Sequence, residues 1–273
     1  MITIDIDPVA FYLGSIEVRW YGIIVALAVL SLALWMWRQI TRNKDRIPPV
    51  DPTVAIPAIA SGFGMAKLFH VIDGWDYYSQ NLGEIFGGAG LSVFGGIIGV
   101  SLFFWIYSRK RHYPFWFIAD LAAPGTLLAQ AIGRVACTIN GCCHGKFCEA
   151  APSWLPWTIR YSTDYPLPHG YFVQPELLGQ TLYPTTVYEI IFNMSLFGVL
   201  LKLRGRLKPD GALFMLYLAA YSVWRIGSGF LRAGTPYLFG LTAAQYISIA
   251  VLAFTVPALV LMMRRAKTQS DAE

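Results

Sequence analysis

Charge is scarce in this chain. Only 14% of its 273 residues are Asp, Glu, Lys or Arg, where a soluble domain carries about 25%, so an ordinary solvated globule is excluded. Acids are fewer than bases, 16 against 21, and the resulting net charge of +5 is not pooled on one segment. That dispersal argues against a nucleic-acid-binding face. No basic residue stands within MITIDIDPVAFYLGSIEV at the N-terminus, which does not read as a cleaved signal peptide. No internal repeat is evident. No apolar run carries the series of acids expected of a proton or cation path, which argues against a channel or transporter.

What is abundant is apolar sequence: 56% of residues are hydrophobic and 15% aromatic. Seven runs are near the length of about 20 residues that spans a bilayer. They fall at about 20–37, 53–72, 89–107, 115–139, 185–203, 211–231 and 243–263. Most of the cations fall in short clusters after the first, third, fifth and seventh runs: Arg38, Arg42, Lys44 and Arg46; Arg109, Lys110 and Arg111; Lys202, Arg204, Arg206 and Lys208; Arg264, Arg265 and Lys267. Alternating spans put all four clusters on one side, as cytoplasmic loops require. Asp73, Asp76, Glu84, Glu149, Asp164 and Glu176 fall opposite. The predicted fold is an all-α polytopic membrane protein with seven transmembrane helices, N-terminus outside and C-terminus cytoplasmic. It forms one membrane domain over residues 1–273. Residues 140–183, rich in Pro, Trp and Tyr, form a small extracytoplasmic head between spans four and five, loosely β or irregular. Residues 8–19 are too short to span and read as a surface-lying entry segment.

The remaining cations, among them Arg134 and Arg225, lie outside or in the outer part of a span. An arginine at a helix centre costs about 2.5–3.5 kcal/mol on insertion scales. Around them, polar groups repeat at helical spacing. Thr126, Gln130, Arg134 and Cys137 form one stripe on span four, and Tyr221, Arg225, Ser228 and Arg232 another on span six. Tyr21 opens span one, and Lys67 and His70 share a face of span two. Tyr188 and Glu189 begin span five, with Asn193 one turn deeper. Five spans thus bring polar groups to one depth, which predicts a site. Arginine's planar fork suits phosphate, and the outer-leaflet position suggests a phospholipid headgroup. Structural alternatives stand beside this: Glu189 pairing with Arg225, and Arg19 and Arg232 snorkelling to water. In span three, Gly95, Gly96 and their neighbouring glycines permit close approach of another helix or of a headgroup.

The segments RWYG (Arg19–Gly22), GLSVFGGIIG (Gly90–Gly99), GRVACTINGCCHG (Gly133–Gly145), YPTTVYE (Tyr183–Glu189) and WRIGSGFLR (Trp224–Arg232) resemble, in order, those of the prolipoprotein diacylglyceryl transferase family of the bacterial inner membrane. The resemblance implies transfer of a diacylglyceryl group from phosphatidylglycerol to the lipobox cysteine of a prolipoprotein signal peptide, at a site facing the outer side. It implies no cofactor. By position it assigns Arg134 and Arg225 to the phosphate, Asn140 and Tyr21 to hydrogen bonding, and Gly145 to the site. Where the family usually has histidine, asparagine, glutamate and an acid, this chain has Phe94, Cys137, Cys142 and Gly229. His144 and His70 are then the candidate bases, while His112 and His169 read as surface residues. Two other functions remain open: a non-catalytic or thiol-redox lipid-binding protein on the same scaffold, and transfer to a different acceptor.

Cys137, Cys142, Cys143 and Cys148 form a thiol cluster open to several readings: a disulfide, a catalytic thiol, buried inert thiols or a metal site. The spacing matches no common zinc pattern, so no metal is predicted. Arg134, one turn before Cys137, is placed to lower that thiol's pKa.

Overall fold

The computed structural model describes residues 1–87, 93–148, 158–163, 173, 175–234, 236 and 238–270. Seven long helices dominate them: α1 (Trp20–Arg42), α2 (Ala55–Asp73), α5 (Val93–Lys110), α6 (Phe115–Ile139), α7 (Thr185–Leu203), α8 (Ala212–Gly229) and α9 (Ala243–Ser270). Two short helices, α3 (Trp75–Tyr78) and α4 (Glu84–Gly87), follow α2. Five helices, α1, α2, α6, α7 and α9, are long and apolar enough to cross a membrane. The runs expected at 115–139 and 185–203 coincide with α6 and α7. Helices α1 and α9 continue past their apolar runs into the basic clusters, because Lys and Arg sustain a helix that hydropathy no longer marks.

The chain divides into two compact units, one of Met1–Gln39 with Trp116–Glu273, the other of Ile40–Phe115. In the second unit α2 lies against α5. A Cβ on Gly95 would sit 2.3 Å from the Met65 carbonyl oxygen, and one on Gly99 2.4 Å from that of Ser61. Ser61 Oγ donates to the Gly99 carbonyl at 2.9 Å. Helix packing therefore accounts for these glycines; Gly96 is less crowded, with Ala66 Cβ at 3.7 Å. The face shared by Lys67 and His70 is real: Lys67 Nζ lies 5.6 Å from the Tyr78 ring centre and His70 packs edge-on to it at 5.8 Å.

In the first unit, Ala123 and Leu127 of α6 pack with Leu196 and Leu200 of α7 and Leu213 and Tyr217 of α8. The Asp120 carboxylate accepts from the backbone N–H groups of Gly211 and Phe214, each at 2.7 Å, so α6 supplies the cap that the start of α8 lacks. This fixes the rotation of α8, and with it the stripe carrying Arg225.

The head is built partly from the N-terminus. Strand β1 (Ile2–Ile4) pairs in parallel with β4 (Ile159–Tyr161), and Ile4, Ile159, Tyr161, Val173 and Leu182 form a small core. Tyr161 donates its hydroxyl to the Thr138 carbonyl at 2.9 Å, tying this core to the end of α6. Most of residues 149–172, with Glu149, Asp164 and His169, lie outside the described residues. The entry segment is a hairpin, β2 (Val9–Leu13) against β3 (Ile16–Arg19), turned by Gly14 at φ 64°. β-Branched and aromatic residues favour strands at that length, and Tyr12 and Leu13 remain exposed on it.

The Asn-Gly pair ends α6. Gly141 takes φ 68°, the left-handed conformation that commonly closes a helix, and a Cβ there would lie 2.2 Å from Val173 Cγ2. Gly141→Ala should therefore cost about 1–3 kcal/mol. A lowered thermal midpoint in detergent checks this.

Candidate active site

Helices α6, α7 and α8 converge on one carboxylate. Glu189, four residues into α7 and 3% exposed, receives Arg134 Nη2 at 2.9 Å from α6. Arg232, three residues beyond α8, stands 3.9 Å from its other oxygen. Tyr221 of α8 donates its hydroxyl to Glu189 Oε1 at 2.8 Å. The ion pair expected between Glu189 and Arg225 is thus replaced by pairs with Arg134 and Arg232. Arg225 lies close enough for its charge to interact with those of Glu189, Arg134 and Arg232. Its Nη1 is buried without a hydrogen-bond partner among the described residues. Three guanidinium groups around one carboxylate leave an excess of positive charge, which is costly away from water unless an anion joins it.

The loop after α6 folds back onto this cluster. Arg134 Nη1 reaches Cys137 Sγ at 3.6 Å and Cys143 Sγ at 3.8 Å. Thr138 Oγ1 donates to Thr186 Oγ1 at 2.8 Å, and Thr185 Oγ1 to the Cys143 carbonyl at 2.8 Å, stitching the loop to α7. Tyr21 at the start of α1 is near enough to interact electrostatically with Arg134, Cys137, Cys142 and Cys143. Asn140 is buried at the end of α6. His144 is buried, with Nδ1 3.0 Å from the Gly145 carbonyl oxygen. A carbonyl only accepts, so Nδ1 carries a proton, and in the neutral imidazole Nε2 is the nitrogen with the lone pair.

Gly145 serves the backbone. It bridges antiparallel to Arg232, its N–H donates to the Tyr183 carbonyl at 3.0 Å, and a Cβ would lie 2.4 Å from Tyr183 Cβ. It thus holds Arg232 and the start of α7 together. Gly229, at the other end of this turn, has Gln245 Cδ 2.6 Å from where a Cβ would be. Gln245 donates to the Ile226 carbonyl at 3.0 Å, so a larger side chain at 229 would displace that contact.

Two features were missed in the sequence. Gln130 Nε2 donates to the Tyr217 hydroxyl at 3.0 Å, and the Tyr217 ring lies 6.2 Å from that of Tyr221, extending the polar path inward from Glu189. Tyr217 sits four residues before Tyr221, so extending the α8 stripe by one turn would have found it. Asn193, fully buried, has both side-chain polar atoms unpartnered among the described residues. The second feature is a cleft of about 290 Å³ between α7 and α8, lined by Thr185, Tyr188, Phe192, Val223, Trp224 and Ser228. It is almost wholly apolar.

All four cysteines are free thiols. The sulfurs of Cys137, Cys142 and Cys143 lie close together. Cys143 is held well below the ordinary thiol range by hydrogen bonds from Cys137 and Cys142, with Arg232 and Arg134 adding to the effect. Cys142 is pushed up by its hydrogen bonds to Cys137 and Cys143 and by burial. An ordinary thiol, with a pKa of about 8.5, is about 1% thiolate at pH 6.5. Lowering Cys143 raises that fraction, so Cys143 should be alkylated ahead of Cys142 and its alkylation should persist as pH falls to 6.5. Peptide mapping after iodoacetamide treatment of the reduced protein checks the order.

Five helices long and apolar enough to span a bilayer mark a multi-pass membrane protein. The model of the prolipoprotein diacylglyceryl transferase family matches residues 8–262, and the chain belongs to that family. Proteins named phosphatidylglycerol–prolipoprotein diacylglyceryl transferase resemble it over nearly their whole lengths. That of Dehalococcoides mccartyi is 42% identical over 271 residues, 99% of each chain. That of Bacillus cereus is 34% identical, covering 98% of this chain and 95% of its own. That of Lactobacillus delbrueckii subsp. bulgaricus is 31% identical, covering 98% and 94%. The protein is a transferase enzyme of lipoprotein biosynthesis.

Proposed function

We propose that this chain transfers the diacylglyceryl group of phosphatidylglycerol to the lipobox cysteine thiol of a prolipoprotein, at the cationic cluster of α6, α7 and α8. The observation that carries this reading is the shared carboxylate: Arg134 and Arg232 divide Glu189 between them, and Arg225 Nη1 is unpartnered among the described residues. A phosphodiester is the anion that completes such a set, and arginine forks bind phosphate oxygens bidentately.

In the reaction the acceptor sulfur attacks the glyceryl carbon that bears the phosphate ester. The carbon–oxygen bond breaks, and its electron pair leaves with glycerol phosphate. Negative charge gathers on the leaving phosphate, where Arg134 and Arg225, already oriented by the fold, stabilise it without reorganisation. Tyr21 and Asn140 supply hydrogen bonds to the headgroup. His144 takes the thiol proton at Nε2, the nitrogen left unprotonated by its bond to Gly145. The cleft beside Tyr188 and Trp224 receives an acyl chain. Gly145 contributes by fixing Arg232 and His144, and Gly95 and Gly96 by letting α2 and α5 pack closely. Seven spans with the N-terminus outside put the site, and the head over residues 140–183, on the outer side of the bacterial inner membrane.

The test is rescue. The wild-type chain should sustain growth of a bacterium depleted of its only diacylglyceryl transferase, and the Arg225→Ala chain, inserted at equal level, should not. Failure of the wild type, or rescue by the variant, contradicts the reading.

A further inference from the structure

Three of the cysteines form a unit that excludes the fourth. The Sγ atoms of Cys137, Cys142 and Cys143 all lie within 4.8 Å of one another. Cys148 is buried elsewhere, hydrogen-bonded with Tyr183. Adjacent residues rarely aim their side chains at one point. Here Cys143 adopts φ 63°, a left-handed conformation that non-glycine residues seldom take, two residues after the turn at Gly141. Thr185 holds that conformation through the Cys143 carbonyl. Though the spacing matches no common zinc pattern, the backbone thus brings the three sulfurs together.

We propose that Cys137, Cys142 and Cys143 bind one thiophilic divalent cation of the zinc class as three thiolates, with the fourth position open to the acceptor's cysteine. Zinc–sulfur bonds of about 2.3 Å set tetrahedral ligands about 3.8 Å apart, so small rotations of these side chains close the cage. Three protein ligands with one position left open is the pattern of catalytic rather than structural zinc. A divalent ion with three thiolates carries a net single negative charge, and Arg134 faces it with N–H contacts to two of the sulfurs. Ligating groups need such outer partners. A disulfide would use two sulfurs and strand the third beside the arginine.

The chemistry balances without oxidant or reductant. The acceptor thiol binds the ion and loses its proton to His144 Nε2, since a coordinated thiol is deprotonated. Its sulfur then attacks the glyceryl carbon, the carbon–oxygen bond breaks toward phosphate, and the thioether formed leaves the ion. The acceptor's place on the ion rests on the transferase reading; the three-thiolate site does not.

The experiment is a Co²⁺ titration of the full chain in detergent, reduced and stripped of metal under anaerobic conditions. One equivalent should produce a thiolate-to-cobalt charge-transfer band. Cys142→Ser should weaken binding about 10–100-fold or more, and Cys148→Ser should leave it unchanged. On the wild type alone, Zn²⁺ should protect Cys137, Cys142 and Cys143 from alkylation, which keeps the test independent of how the variants fold. A lipobox peptide should shift the cobalt spectrum, and its Cys→Ser form should not. Absence of the band, or a band unchanged in Cys142→Ser, overturns the site; an unchanged spectrum with peptide overturns the acceptor's place on it. Full transfer by stripped protein overturns the acceptor's place on the ion and leaves the transferase reading standing. A loaded protein whose spectrum responds to peptide but which transfers nothing supports the site and contradicts that reading.

Discussion

Arg134→Ala should lower transfer from phosphatidylglycerol by at least about 100- to 1,000-fold, the cost of removing a preorganised donor from developing negative charge. The variant loses the 2.9 Å ion pair with Glu189 and both sulfur contacts in one step. Arg134→Lys keeps the charge but loses the fork, and should recover only a small part of the rate. Initial rates of peptide lipidation at saturating acceptor measure this directly. The drop should appear in kcat as well as in KM, because the arginine acts on the leaving phosphate. An effect confined to KM would reduce Arg134 to a docking residue.

The second large effect is on stability. Glu189 is the carboxylate that Arg134 and Arg232 share, and Tyr221 donates to it as well. Glu189→Ala leaves buried guanidinium groups facing one another, and breaking a buried pair from one side costs about 3–5 kcal/mol. The double variant Arg134→Ala/Glu189→Ala should lose less than the sum of the two single losses, since each single change already removes their common contact. Thermal unfolding of all four proteins in the same detergent gives the cycle. Strict additivity would mean that the pair does not hold α6 to α7.

Much of the fold was legible because bilayer physics writes it in runs and charges. The limits of α6 and α7 follow from apolar length alone, and the basic clusters mark where α1 and α9 carry on beyond it. The pairing of Ile2–Ile4 with Ile159–Tyr161 was not legible, because no local pattern links segments so far apart. Of the site, helical spacing was enough to put Arg134 on one stripe of α6 and Arg225 on one stripe of α8. The stripes could not say which arginine Glu189 chooses, since a stripe gives a direction and not a distance. Gly145 shows the same limit: a glycine reserved for a ligand and one reserved for a neighbouring backbone look alike until Tyr183 is seen against it. The convergence of Cys137, Cys142 and Cys143 was not legible, because the left-handed turn at Cys143 is invisible in sequence.

The central claim is that an excess of arginine over carboxylate grips the donor's phosphate during thiol alkylation. The most direct measurement follows the purified chain with phosphatidylglycerol and a lipobox peptide, counting lipidated peptide by mass spectrometry and released glycerol phosphate together. One glycerol phosphate per lipidated peptide, with both falling at least about 100-fold in Arg225→Ala, is the predicted result. Lipidation without glycerol phosphate, or a wild-type rate in Arg225→Ala, would contradict it.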